Sequence, residues 1–191
     1  MLPEISLNIL DITQNSIRAG ASLIEISVNT DPKAGTLELT ISDNGSGMNE
    51  DQLSAAEDPF YTSRTTRKVG LGIPFFKQAA LATGGSFNIT SKPGLGTTVN
   101  AVFNTAHIDC MPLGDITGTM LTLISGLDDH EGDLSDKSTD IIYTYSVGDR
   151  EFSLDTRELR DVLGGVPLNE PDVYMFLSEF LTENKKEADG Q

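Results

Sequence analysis

Asp11 and Asn15 are the first side chains of the chain that could act together in a chemical site. They lie four residues apart in EISLNILDITQNSIRA (residues 4–19), whose apolar residues recur at helical spacing. Both side chains therefore fall on one side of a predicted helix and flank Ile12, which should face the core. Such a pair could line a cavity, with the Asn15 carbonyl oxygen binding a hard cation such as Mg²⁺ and Asp11 orienting a water molecule. A hydrogen bond within the helix, or simple exposure, explains the pair equally well.

A second candidate is the segment DNGSGM (residues 43–48), which follows a predicted strand. A tight turn accounts for Asn44 and Gly45, because both residue types tolerate positive φ. It does not require Asp43 or Gly47. A carboxylate at the end of a strand can accept a hydrogen bond from an exocyclic amine such as that of adenine, and glycines beside it allow a flat ring to approach the backbone.

A third candidate combines cations with paired glycines. Arg64, Arg67 and Lys68 lie just before Gly70-Leu71-Gly72, in a chain whose net charge is −16. The glycines open a predicted helix, and the free N–H groups and dipole of a helix N-terminus favour an anion. A solvated basic loop is the alternative. Another paired-glycine segment is GLGTT (residues 94–98), where a hairpin turn is sufficient to explain Pro93-Gly94.

The elements that must position these residues follow from the hydrophobic pattern. Helices are predicted at 4–19, 49–57 and 73–83, strands at 23–30, 36–43, 86–92 and 97–104, and a loop at 58–70. This order predicts a mixed α/β fold in which helices cover one face of a largely antiparallel sheet.

The C-terminal part has a different character. We predict a helix at 113–127, a flexible acidic loop at 128–139, strands at 140–148 and 150–155, helices at 156–164 and 171–184, and a disordered tail from Lys185. The hairpin should extend the sheet, and two helices should pack beside it. Its aromatic side chains are expected in the core rather than at a contact surface: Phe152, Tyr174, Phe176 and Phe180.

Taken together, the motifs resemble a known ATP-binding domain. Asp-x-x-x-Asn on a helix, Asp-x-Gly-x-Gly, Asp-Pro-Phe, Gly-Leu-Gly and Gly-x-Gly-Thr follow one another over roughly residues 4–105. This order is similar to the gyrase, heat-shock-90, histidine-kinase and mismatch-repair superfamily, and Asp58-Pro59-Phe60-Tyr61-Thr62-Ser63-Arg64 is most similar to its histidine-kinase branch. The resemblance implies a Bergerat-type two-layer sandwich at 1–106, followed by an acidic α/β extension at 107–191.

The resemblance also implies roles for individual residues. Asn15 would bind a Mg²⁺ ion that bridges the phosphates of ATP, and Asp11 occupies the place of an acidic residue that is sometimes the base for an attacking water. Asp43 would accept the adenine amine, assisted through water by Thr97 or Thr98. The remaining nucleotide-binding residues would be Gly45, Gly47 and Met48 around the base, Phe60, Thr62, Arg64, Arg67 and Lys68 in a mobile lid at 58–69, and Gly70, Leu71 and Gly72 on the phosphates.

Composition limits the partners and the location. Residues 1–106 contain 10 acidic and 7 basic side chains, whereas residues 107–191 contain 19 and 6. An acidic surface repels phosphate backbones, so nucleic acid is not expected as a partner. The acidic part is either a solvated surface or a docking face for a basic partner protein. The sequence contains no apolar run that would span a membrane and no signal peptide at Met1, so we expect a cytoplasmic protein.

Three functions fit these motifs. The first is a stand-alone kinase that binds Mg-ATP and phosphorylates a partner protein in trans, on histidine or serine. The second is an ATP-gated switch or slow ATPase that acts on a partner complex. The third is a non-catalytic nucleotide-binding module. Because the ATP-binding pattern begins at residue 4, we expect no phosphoacceptor helix pair, and we expect His107 and His130 to be surface residues rather than acceptors.

Overall fold

A computed structural model describes residues 4–57, 72–128 and 139–190. Its helices are α1 (Ile5–Arg18), α2 (Glu50–Glu57), α3 (Gly72–Ala82), α4 (Ile116–Ser125), α5 (Thr156–Leu163) and α6 (Pro171–Asp189). Its strands are β1 (Leu23–Asp31), β2 (Thr36–Asp43), β3 (Ser86–Lys92), β4 (Gly96–Asn104), β5 (Asp140–Val147) and β6 (Arg150–Asp155). The predicted elements of both halves are therefore present, with their ends shifted by a few residues. The predicted loop at 58–70 and residues 129–138 of the predicted loop at 128–139 lie outside the described residues.

One six-stranded sheet joins the two halves of the chain. Its strand order is β3-β4-β2-β1-β5-β6, and every neighbouring pair is antiparallel except β1 and β5, which run parallel. The C-terminal hairpin thus extends the sheet at β1, as predicted. Burial alternates along β2, where Leu37, Leu39 and Ile41 face the core, as expected for a sheet covered on one side.

The helices form the second layer in the same order as the strands beneath them. α3 packs on β3 and β4, α1 lies between α3 and α4, and α6 packs on β5 and β6. α1 is amphipathic and buries Ile5, Ile9 and Ile12. The two-layer α/β architecture is confirmed. None of the helices within the described ranges is long and apolar enough to cross a membrane.

The prediction of a disordered tail is wrong, because α6 continues to Asp189. The hydroxyl of Tyr145 on β5 donates to Asp189 Oδ1 at 2.8 Å, and Lys185 bonds the other oxygen of that carboxylate. The Lys185 ammonium also lies 5.4 Å from the centre of the Tyr145 ring. These contacts hold the last turns of the helix against the sheet.

The expectation for the C-terminal aromatic residues is only half right. Phe152 and Phe180 are partly buried and lie edge to face, with ring centres 6.4 Å apart. Tyr174 and Phe176 are exposed on α6. Helical spacing alone did not separate the inner from the outer aromatic side chains of this helix.

The anchoring of α6 gives a stability prediction. Tyr145→Phe should lower the free energy of unfolding by about 1 kcal/mol, because it removes a partly buried hydrogen bond. Burial and the hydrogen bond to Asp189 raise the pKa of Tyr145 above its ordinary value of 10.0. The folded state therefore holds this proton more tightly than the unfolded state, and stability should fall as the pH rises past 10.0.

Urea unfolding as a function of pH measures both effects. The decline at alkaline pH should be shallower in Tyr145→Phe, and part of it should remain because burial also raises the pKa of Tyr143. Tyr174→Phe is the matched control, since Tyr174 is exposed. Equal losses from the two substitutions would contradict the anchoring role of Tyr145.

Candidate functional site

The carboxylate of Asp43 is held by three segments at the end of β2. Oδ2 accepts a hydrogen bond from the Ser16 hydroxyl of α1 at 2.7 Å. Oδ1 accepts from the backbone N–H of Gly45 at 2.9 Å and of Thr97 at 3.3 Å. A carboxylate oxygen can accept about two hydrogen bonds. Within the described residues, Oδ1 is therefore saturated and Oδ2 retains one free acceptor position.

The loop after Asp43 is fixed at the start of β1 by Asn44. The Asn44 side-chain oxygen accepts from the N–H groups of Ser22 and Leu23, at 2.9 and 3.0 Å, and its amide donates to the Ser22 hydroxyl. Ser46 N–H donates to the Ala19 carbonyl. Asn44 therefore holds the loop in place. Asp43, in contrast, bonds to α1 through Ser16.

Gly47 brings this loop against the turn between β3 and β4. Its φ is +62°, and a Cβ there would lie 1.9 Å from the Lys92 carbonyl oxygen. Only glycine fits such an approach. Next to it, the Ser91 hydroxyl accepts from Met48 N–H at 2.8 Å and donates to the Gly96 carbonyl. The two glycine motifs are thus parts of one packed corner.

The register of β2 and β4 separates the two threonines of the second motif. Thr97 lies opposite Asp43 on the face that carries the helices, and its hydroxyl is 2.8 Å from that of Ser91. Thr98 points to the other face, where its hydroxyl is 2.8 Å from that of Ser42. Of these two candidates, Thr97 is the one beside Asp43.

Asp11 lies on α1 against the first residue of α3. A Cβ added to Gly72 would lie 1.8 Å from Asp11 Oδ2, so a larger residue at this position would require the Asp11 side chain to move. Oδ2 is buried and has no hydrogen-bond partner among the described residues. A buried acceptor without a donor is costly unless a ligand or water satisfies it.

Asn15 lies one helical turn from Asp11 and is half-buried. Its side-chain oxygen accepts from the Arg18 guanidinium at 3.0 Å. The described residues contain no cluster of three or more His, Cys, Asp or Glu that could hold a metal by themselves. An amide oxygen beside an unsatisfied carboxylate nevertheless suits Mg²⁺, which keeps most of its ligands as water and phosphate oxygens.

Seven predicted site residues lie outside the described residues. They are Phe60, Thr62, Arg64, Arg67, Lys68, Gly70 and Leu71, and the whole of the predicted lid at 58–69 lies outside them as well. Their roles remain predictions. The structure brings Asp43 together with Thr97 and with Ser16 of α1, and it brings Asp11 of the same helix together with Gly72.

Sequence reasoning missed three residues of this site. Ser16 and Ser91 orient Asp43 and the glycine corner, and Arg18 contacts Asn15. Ser16 had a detectable signal, because it is a polar residue on the buried stripe of α1 and needs a buried partner. Ser91 had none, since serine in a strand near a turn is common.

Comparison with known proteins agrees with this geometry. Residues 3–107 match the family described as histidine kinase-, DNA gyrase B-, and HSP90-like ATPase. The chain belongs to this ATPase family. The match contains α1 to α3 and β1 to β4, and it ends just after β4.

Curated relatives match about half of this chain. The sensor protein kinase FleS of Pseudomonas aeruginosa is 34% identical over 94 residues, which is 49% of this chain and 23% of that protein. The non-motile and phage-resistance protein of Caulobacter vibrioides is 29% identical over 124 residues, 56% of this chain and 15% of that protein. The chain thus matches less than a quarter of the length of these relatives.

A solved structure shows the same fold beyond the matched region. The N-terminal domain of a DNA repair protein superposes with a TM-score of 0.53 at 13% identity, covering 80% of this chain and 52% of that one. At this identity the likeness concerns the fold alone.

The packed glycine corner of this ATPase domain gives a second prediction. Gly47→Ala should lower the free energy of unfolding more than Gly94→Ala, by at least about 1 kcal/mol, because of overpacking against Lys92. Gly94 is the matched control, since its φ is +75° and nothing lies within 4 Å of an added Cβ. Gly94→Ala should lower the free energy of unfolding by about 1–2 kcal/mol, because alanine is strained in the left-handed backbone conformation. Urea unfolding measures the difference, and equal losses would contradict the close approach.

Proposed function

We propose that this domain binds Mg-ATP and transfers the γ-phosphate to a partner protein. The observation that carries the proposal is the free acceptor position on Asp43 Oδ2, within a carboxylate that is otherwise held by Ser16, Gly45 and Thr97. An acceptor fixed in this way suits the adenine amine, which is a donor. Membership of an ATPase family supports the same ligand.

The phosphates would extend from Asp43 along α1 towards α3. Asn15 would hold Mg²⁺ through its side-chain oxygen, exchanging its hydrogen bond from Arg18 for the metal. The ion would neutralise phosphate charge and orient the phosphates for transfer. The N-terminus of α3, opened by Gly72, offers N–H groups and a positive dipole end to the phosphates. We propose that the cations and glycines at 58–71, which lie outside the described residues, also bind the phosphates.

Asp11 is the group that would move a proton. In transfer, an oxygen or nitrogen of the acceptor attacks the γ-phosphorus, the bond from that phosphorus to the β–γ bridging oxygen breaks, and ADP leaves. Asp11 Oδ2, which is buried and lacks a donor among the described residues, would accept the proton that the attacking group loses. The proposal places the protein in the cytoplasm, with a protein rather than nucleic acid as partner.

The unpartnered oxygen of Asp11 also favours a second candidate function. If water instead of a partner protein attacks the γ-phosphate, Asp11 would take the proton of that water, and the products would be ADP and phosphate. The domain would then be a slow ATPase or an ATP-gated switch for a partner complex. Aspartate is one methylene shorter than glutamate, which limits its reach towards the water.

The adenine contact is tested by comparing ATP with inosine triphosphate, which carries an oxygen in place of the amine. Wild-type protein should prefer ATP, because Asp43 Oδ2 can accept from the amine but not from a carbonyl. Asp43→Asn should weaken ATP binding more than tenfold, which is more than about 1.4 kcal/mol, and should reduce the preference for ATP over inosine triphosphate. Calorimetry measures both affinities.

Ser16→Ala is the positioning control for that experiment. It frees Asp43 Oδ2 from one partner while the carboxylate stays in place, so we expect a smaller loss of ATP affinity with the nucleotide preference retained. An Asp43→Asn protein that binds ATP normally, or that discriminates as well as wild type, would remove Asp43 from the adenine site.

The fate of γ-labelled ATP distinguishes transfer from hydrolysis. We expect wild type with Mg²⁺ to retain intact bound ATP if it awaits an acceptor, and to release labelled phosphate if it is an ATPase. Asp11→Asn should keep ATP binding and lose at least about 100-fold of any turnover. Asn15→Ala should keep metal-free nucleotide binding and lose its Mg²⁺-dependent part.

Gln14→Ala is the matched control on the same turn of α1, since Gln14 also contacts Arg18. A normal Mg²⁺ response in Asn15→Ala would exclude Asn15 as the metal ligand. Normal turnover in Asp11→Asn would exclude Asp11 as the base. Absence of ATP binding in wild type would overturn the proposed function as a whole.

A further inference from the structure

The first turns of α6 expose three consecutive large apolar side chains. Tyr174 is 44% exposed, Met175 61% and Phe176 54%. Successive helical residues are turned by about 100°, so these three cover most of the outer surface of α6 at this level. We call them the α6 patch. Contiguous apolar side chains on the surface of a protein are typical of interaction sites.

The α6 patch is built on a rigid support. The inner side of α6 is buried through Val173, Leu177 and Leu181. Phe176 stacks on Phe180 with ring centres 6.1 Å apart, and Phe180 in turn contacts Phe152 of β6. Phe176 is therefore held in place before a partner binds, which lowers the entropic cost of binding at that side chain.

The α6 patch lies away from the nucleotide site. α6 is the last helix of the layer, packed on α4 and on β5 and β6, whereas the site lies between α1, α3 and β2. α4 separates the two regions. A partner could occupy the patch while nucleotide is bound.

Charge around the α6 patch indicates what would cover it. Residues 161–184 include five acidic residues and no lysine or arginine. Glu170, Asp172, Glu179 and Glu183 are exposed on or beside α6 and have no ion-pair partner among the described residues. Lys185, the nearest cation along α6, is already bound to Asp189.

We infer that the α6 patch is the docking surface for a partner-protein segment that carries Lys or Arg around apolar side chains. Apolar anchors would cover the patch, and the cations would meet the surrounding carboxylates. A second copy of this chain would bring its own carboxylates to the same place, and an anionic membrane would be repelled. The inference supplies a surface for the partner of the proposed function and relies on that proposal only for the existence of a partner.

A synthetic peptide serves as the probe. It is an amphipathic helix of about 14 residues, roughly four turns, with leucines on one face, lysines at both edges and one tryptophan among the leucines. The protein contains no tryptophan, so the fluorescence of the peptide reports binding without background. A second peptide replaces the leucines by serine, and a third replaces the lysines by glutamate.

The full chain should bind the first peptide and neither of the other two. Phe176→Ser should weaken binding at least about tenfold, as expected for the loss of an aromatic anchor. Met175→Ser should also weaken it, and this variant leaves the Phe176–Phe180 stack in place. Ile108→Ser, a substitution of a side chain that is 95% exposed beyond β4, is the matched control and should have no effect.

A separate experiment tests the carboxylates around the α6 patch. Glu179→Gln with Glu183→Gln should weaken binding about threefold at low salt, and the difference should shrink at high salt. Glu50→Gln with Asp51→Asn on α2 is the control for net charge. If the α6 pair and the α2 pair of substitutions weaken binding equally, the charges act only through non-specific attraction. That result would overturn the inferred site.

Other results would also overturn the inference. Equal binding of the leucine and serine peptides would show attraction by charge alone. Normal binding by both Phe176→Ser and Met175→Ser would exclude the patch. Concentration-dependent dimerisation lost in these variants would assign the patch to a second copy, and binding of wild type to anionic vesicles would assign it to a membrane. ATP affinity should be unchanged in both variants, so a failure here is distinguishable from failure of the proposed function.

Discussion

The hydrogen bonds of Asp43 are the constraint on which the rest of the site depends. One carboxylate joins α1 through Ser16, the glycine loop through Gly45 and β4 through Thr97. A partly buried carboxylate is tolerated only when donors satisfy it, so these three segments must meet at the end of β2. The position of this carboxylate is therefore set jointly by α1, by β4 and by the glycine loop that follows β2.

The C-terminal addition stabilises the same arrangement from the other side. β5 pairs parallel to β1, which places α4 beside α1 and encloses α1 between α3 and α4. The helix that carries Asp11, Asn15 and Ser16 is thereby packed on both flanks. Residues beyond the family match thus support the helix that carries the candidate site residues, and they place α6 and its exposed patch at the far end of the layer.

Prediction from the sequence succeeded where a feature is local and periodic. The helix of residues 4–19 and the alternating strands around Asp43 carry their own pattern, and both are present. The end of α6 was missed because it depends on Tyr145, far away in sequence, bonding to Asp189. Thr97 and Thr98 remained alternatives because the register of β4 against β2 decides which one lies opposite Asp43.

Asp11 has a buried oxygen that packing within the described residues leaves without a hydrogen-bond donor. Three buried side-chain oxygens of the described residues lack a partner: Thr13 Oγ1, Ser125 Oγ and Asp11 Oδ2. An unpaired hydroxyl costs about 1–3 kcal/mol, and an unpaired carboxylate costs more. The dipole at the start of α3, which Gly72 brings into contact with Asp11, offsets part of that cost without supplying a donor to Oδ2 among the described residues. Under the proposed function, the group that attacks the phosphate would supply the donor that Asp11 Oδ2 lacks among the described residues.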